Sequence, residues 1–151
     1  MTLPFDPHFT AAMKATAKNC FSYFNFFIGF VGSDEITFAI RPLIAAQLGK
    51  GGVLEFNGRI QKMVSLLAGK VSVTFLIELM KLEGFEKVRQ YSPHFDCRVF
   101  QVSSFNEVAE NISERVKYTL KNARMMLAQN HYNQKQLDKI ASRQAVEKLL
   151  Q

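Results

Sequence analysis

From Phe9 onward, apolar side chains recur every three or four residues, so that Phe9, Met13, Ala17, Cys20, Phe24 and Phe27 share one helical stripe. Asp6-Pro7 ahead of it is a start signal, because Asp caps free amides and Pro at the first helical position gives up no hydrogen bond. Gly29 and Gly32 are the stop signals. Residues 20–30, CFSYFNFFIGF, therefore read as the last turns of an amphipathic helix whose apolar face widens.

The period then changes. Glu35 to Arg41 alternates, with Ile36, Phe38 and Ile40 on one face and Thr37, Ala39 and Arg41 on the other, which predicts a half-buried strand ended by Pro42. LIAAQLGKGG reads as a short helical turn or a loop. Residues 53–84 carry competing patterns. Asn57-Gly58 between apolar runs predicts a type I′ hairpin, whereas Ile60, Met63, Val64 and Leu67 fit a short helix. Val71, Val73, Phe75, Ile77 and Leu79 alternate, and the crowding of β-branched residues at the start favours a strand over 71–79.

Ser92-Pro93-His94 breaks the chain, and FDCRVFQVSS predicts another strand with Cys97, Val99 and Gln101 on one face. Ser104 and Glu107 form a capping-box pattern before a sustained stripe of Phe105, Val108, Ile112, Val116, Leu120, Ala123 and Leu127. Glu107, Glu110 and Glu114 lie early in that helix and Lys121 and Arg124 late, which complements its dipole. Asn133 can cap a last helix through Leu137, Ile140, Ala141 and Leu149. The expectation is a single α+β domain over 1–151. A Phe-rich N-terminal helix and long C-terminal helices pack on a small, mainly antiparallel β-sheet, with the last helix, 133–150, projecting as an interaction element.

Composition narrows the class. With 48% apolar and 21% charged residues the chain is globular, and its 14 Phe without a single Trp are core formers. Cys20 and Cys97 make no disulfide framework or metal spacing, which reads as reduced, intracellular thiols and a cytoplasmic location. The N-terminus lacks a signal-peptide pattern. The longest strongly apolar run, Cys20 to Val31, is shorter than the ~20 residues of a membrane span, so none is expected. Between Arg115 and Arg143 stand seven basic residues against one acid, Asp138, so that segment alone carries the whole net charge of +6.

Candidate chemistry is sparse. No P-loop, GxGxxG, GxSxG or HExxH occurs, and the GKGG turn lacks the spacing of a phosphate loop. His94 and Asp96 would share a strand face while Cys97 points away, which supplies neither an activated nucleophile nor a metal site. Glu55, Glu78, Glu83 and Glu86 offer carboxylates, but no pair is marked as catalytic. No catalytic residue, metal, cofactor or small-molecule substrate is therefore expected. Two surfaces remain: an aromatic face of Phe21, Phe24, Phe27 and Phe30, and a basic face of Lys117, Lys121, Arg124, Lys135, Lys139 and Arg143. Together they predict a non-enzymatic interaction module, an adaptor, regulator or assembly component, that binds a protein partner or itself. The alternative is non-specific nucleic-acid binding through the basic helices. A weaker alternative is a regulatory domain that binds a small apolar or nucleotide ligand.

Overall fold

Helix α1, Pro7–Phe21, begins at the expected cap, where Asp6 Oδ1 accepts hydrogen bonds from the backbone N–H of His8 at 2.9 Å and of Phe9 at 3.0 Å. The computed structural model describes residues 5–24, 26–40, 55–90 and 92–132. The helix stops at Phe21 with Ser22 as its C-cap, well short of Gly29. Strand β1, Phe26–Gly32, succeeds it and runs antiparallel to β2, Glu35–Ile40, with Phe30 opposite Thr37 and Val31 opposite Ile36. The expected single helix through residues 20–30 is thereby corrected. The aromatic and branched residues of FFIGFV favour a pleated surface, and pairing with β2 outweighs the helical spacing. A stacked pair, Phe26 on Phe38 at 4.3 Å, sits in that ladder.

A 3-10 turn, Glu55–Gly58, comes next among the described residues. Phe56 and Asn57 have φ of 55° and 56°, the left-handed values a type I′ turn requires. The chain nevertheless enters α2, Ile60–Glu83, rather than returning as a hairpin. Phe56 packs edge-on against Phe24 at 6.0 Å and lies under the Lys62 ammonium, contacts that offset the cost of its backbone conformation.

Helix α2 overturns the strand expected over 71–79. Of the alternating set, Val71, Phe75 and Leu79 are buried while Val73 and Ile77 are 57% and 48% exposed. Burial at every fourth residue is the helical period, and the intervening residues face out. Branched residues lower helix propensity by only tenths of a kcal/mol each, which packing on α1 overrides. By length and composition α2 is also apolar enough to cross a membrane. Its buried residues are Met63, Val71, Thr74, Phe75 and Leu79.

Gly84, at φ 81°, ends α2 and a single turn, α3, Phe85–Val88, drops Val88 into the core. Residues 93–102 run extended without joining a described strand. Pro93, Phe95, Cys97 and Val99 point inward there and His94, Asp96, Arg98 and Phe100 outward, while Gln101, expected on the Cys97 face, is exposed. Helix α4, Phe105–His131, starts at Ser104, whose side chain accepts from the Glu107 N–H. Glu107 reaches back to Ser103 rather than to Ser104, and the two bonds from Ser103 hold its carboxyl below the ordinary range. The expected final helix from Asn133 and the LIAAQLGKGG segment lie outside the described residues.

The core joins these pieces. Ala12 and Met13 of α1 meet Phe75 and Leu79 of α2 and Val88 of α3, with Phe9, Val31, Ile36, Leu76, Met80 and Phe95 packed around them. Phe75 takes edge contacts from Phe9 and Phe95, each at 5.4 Å. The α+β expectation is borne out: helices pack against a two-stranded antiparallel sheet. In urea unfolding, Phe75→Ala should cost about 3–5 kcal/mol and the outward Ile77→Ala less than about 1 kcal/mol. Equal losses at the two positions would contradict the helical placement.

Candidate active site

The β1–β2 connection is two residues long, Ser33-Asp34, between the paired Gly32 and Glu35. Ser33 holds φ at 46°, at the turn position where a type II′ hairpin places glycine, a strain of about 1–2 kcal/mol. The turn thus presents two adjacent carboxylates, Asp34 and Glu35, both exposed.

Helix α4 faces this turn. Near its start Phe105 packs on Phe27 of β1 at 5.6 Å. Farther along, Gly32 lets the helix come close: a Cβ there would fall against Thr119 Oγ1 and 2.9 Å from Phe30 Cε1. Between turn and helix lies a cleft of about 250 Å³, lined by Gly32, Ser33, Asp34 and Glu35 on one side and Arg115, Tyr118, Thr119 and Asn122 on the other. Arg115 Nη1 donates to Glu35 Oε2 at 3.2 Å, and Thr37 Oγ1 donates to Glu35 Oε1 at 3.0 Å. Asp34 has no hydrogen bond or ion pair among the described residues.

This donor set suits phosphate chemistry. Two hard carboxylate oxygens in an open cleft match what Mg²⁺ takes from a protein when substrate phosphates and waters complete its shell. Arg115 adds a fixed positive charge with the fork geometry that phosphates accept. The Arg115–Glu35 pair is exposed on both sides, so it is worth about 0.2–1 kcal/mol and yields readily to a stronger partner. Sequence reasoning missed Asp34 and Glu35. The signal was present in FFIGFVGSDEITFAI: a tight turn carrying paired acids between two apolar runs.

The other candidates fall elsewhere. The structure does not gather the four Phe onto one face: Phe21 ends α1, Phe24 is buried in the following turn, and Phe27 and Phe30 are half-buried in β1. Lys117, Lys121 and Arg124 are exposed on α4, Lys117 paired with Glu114, the other two without an ion pair among the described residues. Lys135, Lys139 and Arg143 lie outside them. Cys97 is half-buried, with burial first and Asp96 second pushing its thiol up, the opposite of an activated nucleophile. Asp6, His8 and Glu83 gather donor atoms within 4.8 Å, yet each is already engaged. Asp6 caps α1, and Glu83 is held below the ordinary carboxyl range by Lys87 first and His8 second, so the trio ties the ends of α1 and α2 together.

Comparison with known proteins brings a family to this geometry. The profile of the Thg1 family, described as tRNAHis guanylyltransferase, matches residues 1–103. An uncharacterized protein of Acanthamoeba polyphaga mimivirus is 28% identical over 116 residues, which is 69% of this chain and 40% of the viral protein. A bacterial tRNA(His) guanylyltransferase (Thg1)-like protein, solved in complex with ATP, overlays 99% of this chain on 62% of its own at a TM-score of 0.81 and 24% identity, a likeness of fold. This chain thus spans less than two thirds of either relative.

These findings correct the expected function. A match to an enzyme family overturns the non-enzymatic adaptor reading, and with it a protein partner or self-association as the primary partner. The expectation of no small-molecule substrate falls with it, since the matched family is one of guanylyltransferases. The nucleic-acid alternative stands closer to the family than the main reading did. Motif scanning failed because the paired acids follow a strand without a glycine-rich phosphate loop. Because Gly32 sets the approach of α4, Gly32→Ala should destabilise the fold by about 1–3 kcal/mol in urea unfolding. Wild-type stability in that variant would mean that α4 does not rest on the turn.

Proposed function

The chain belongs to the Thg1 family of tRNAHis guanylyltransferases, and from that premise we propose that its cleft takes part in nucleotidyl transfer from a nucleoside triphosphate to tRNA. The observation that carries this reading is the exposed Asp34–Glu35 pair facing Arg115 across the cleft. In such a transfer an RNA oxygen bonds to the α-phosphorus of the triphosphate, the α–β bridging bond breaks, and pyrophosphate leaves with that bond's electron pair. Asp34 and Glu35 are the residues that would hold a divalent cation, which supplies neutralisation of the charge on the phosphate oxygens. Arg115 turns from Glu35 to a phosphate oxygen once the carboxylate is engaged, and orients the triphosphate. Tyr118 and Asn122 complete the helix wall and offer a hydroxyl and an amide for hydrogen bonds.

RNA fits another side of the same helix. At about 100° per residue, Lys117, Lys121 and Arg124 project within roughly 60° of one another, and Tyr118 lies between that stripe and the cleft wall.

Two measurements test the reading. Millimolar MgATP should raise the melting temperature of the chain, and Asp34→Asn or Glu35→Gln should weaken the magnesium-dependent part of that binding at least about tenfold while changing stability by less than about 1 kcal/mol. Lys121→Glu with Arg124→Glu should weaken tRNA binding and flatten its salt dependence by about one logarithmic unit per charge. Failure of MgATP to stabilise the wild-type chain would sink the proposal.

A further inference from the structure

Strand β2 gives its alternate residues to two different neighbours. Ile36, paired with Val31 of β1, packs with it against the cluster that α1 and α2 bury. The pairs on either side, Gly32 with Glu35 and Phe30 with Thr37, therefore face the other way. That is the side from which α4 approaches, since Thr119 stands over Gly32 and Arg115 reaches Glu35. Glu35 and Thr37 are thus neighbours on the face of β2 that is turned to α4.

Two donors reach the Glu35 carboxylate, one on each oxygen. Arg115 Nη1 donates to Oε2 at 3.2 Å, and Thr37 Oγ1 donates to Oε1 at 3.0 Å. The two tethers differ in permanence. The guanidinium comes from another element, eighty positions along the chain, and its pair with Glu35 is exposed on both sides. Once Arg115 goes to a phosphate, that tether is gone. The hydroxyl belongs to the same strand as Glu35, is half-buried, and sits on a β-branched side chain with few χ1 rotamers. A glutamate side chain has three torsions, and ordering them opposes any binding that uses its carboxylate. A hydroxyl that stays in place orders them beforehand.

We propose that Thr37 is a positioning residue for the carboxylate pair of the turn: its hydroxyl keeps Glu35 oriented after Arg115 has left, and so sets the affinity of the cleft for a divalent cation. Held through Oε1, Glu35 keeps Oε2, the oxygen that Arg115 vacates, for that cation. The inference deepens the nucleotidyl-transfer reading and rests on it.

Mn²⁺ alone is the probe, because it takes the same hard oxygen ligands as Mg²⁺ and its free ion is counted directly by electron paramagnetic resonance. It is titrated into the 151-residue chain and its variants. Thr37→Val keeps the branched shape without the hydroxyl and should weaken Mn²⁺ binding about tenfold, whereas Thr37→Ser, which retains a hydroxyl, should stay within about threefold of wild type. Glu35→Gln should weaken binding at least about tenfold, and Thr37→Val added to it should bring no further loss, because the hydroxyl acts only through that carboxylate. The urea midpoint of Thr37→Val should match that of the wild type, which separates positioning from a general loosening of the hairpin. Four results overturn the proposal and leave the nucleotidyl-transfer reading standing: wild-type affinity in Thr37→Val where Glu35→Gln has lost it, equal losses in Thr37→Val and Thr37→Ser, a further loss in the double variant, or a fall in the Thr37→Val midpoint that accompanies its loss of binding. Mn²⁺ uptake that Glu35→Gln leaves unchanged overturns both.

Discussion

The burial of Phe75 between α1 and its own helix is the contact on which the rest depends. A two-stranded hairpin has too little apolar surface to persist by itself. It is held because Val31 and Ile36 reach the cluster that Ala12, Met13, Phe75 and Leu79 form. Once the hairpin is held, its turn has one position, and with it Asp34 and Glu35. Helix α4 is placed by the same hairpin, through Phe27 and the bare Cα of Gly32. The chemistry-bearing residues therefore sit on a turn and an outer helix, while rigidity comes from two helices that touch no part of the cleft.

Local signals were legible where one residue type has one physical use. Asp6-Pro7 and Ser104 start their helices as their side chains require. The alternation of Ile36, Phe38 and Ile40 forms β2. Misreadings arose where two periods overlap. Residues 20–30 satisfy a helical stripe and a strand alternation at once, and pairing across Ser33-Asp34, a non-local contact, decides between them. Residues 71–79 alternate in the letters, with Ser72, Thr74 and Glu78 between apolar residues, but burial falls on Val71, Thr74, Phe75 and Leu79, so the alternation does not exist in the burial. The site was hidden for a related reason. Its acids are ordinary in type and exposed, and only the fold brings Arg115 to Glu35 across eighty positions of sequence.

Charge divides between two tasks. Around Glu83, opposite charges close on each other and join helix ends, leaving little for a ligand. In the cleft Asp34 is unpaired among the described residues, and on another side of α4 Lys121 and Arg124 stand without an ion pair among them. Mutual satisfaction reads as architecture, and charge left open reads as capacity for a partner.

Tyr118 gives the cleft a built-in optical reporter. The chain has four tyrosines and no tryptophan, so its near-ultraviolet emission is tyrosine emission, undimmed by transfer to an indole. Of the tyrosines, Tyr118 lines the cleft, while Tyr23 is covered by the Lys70 ammonium at 5.0 Å. Whatever enters beside Arg115 meets a phenol whose fluorescence responds to stacking, hydrogen bonding and proton acceptors, so occupancy can be followed in the unlabelled protein.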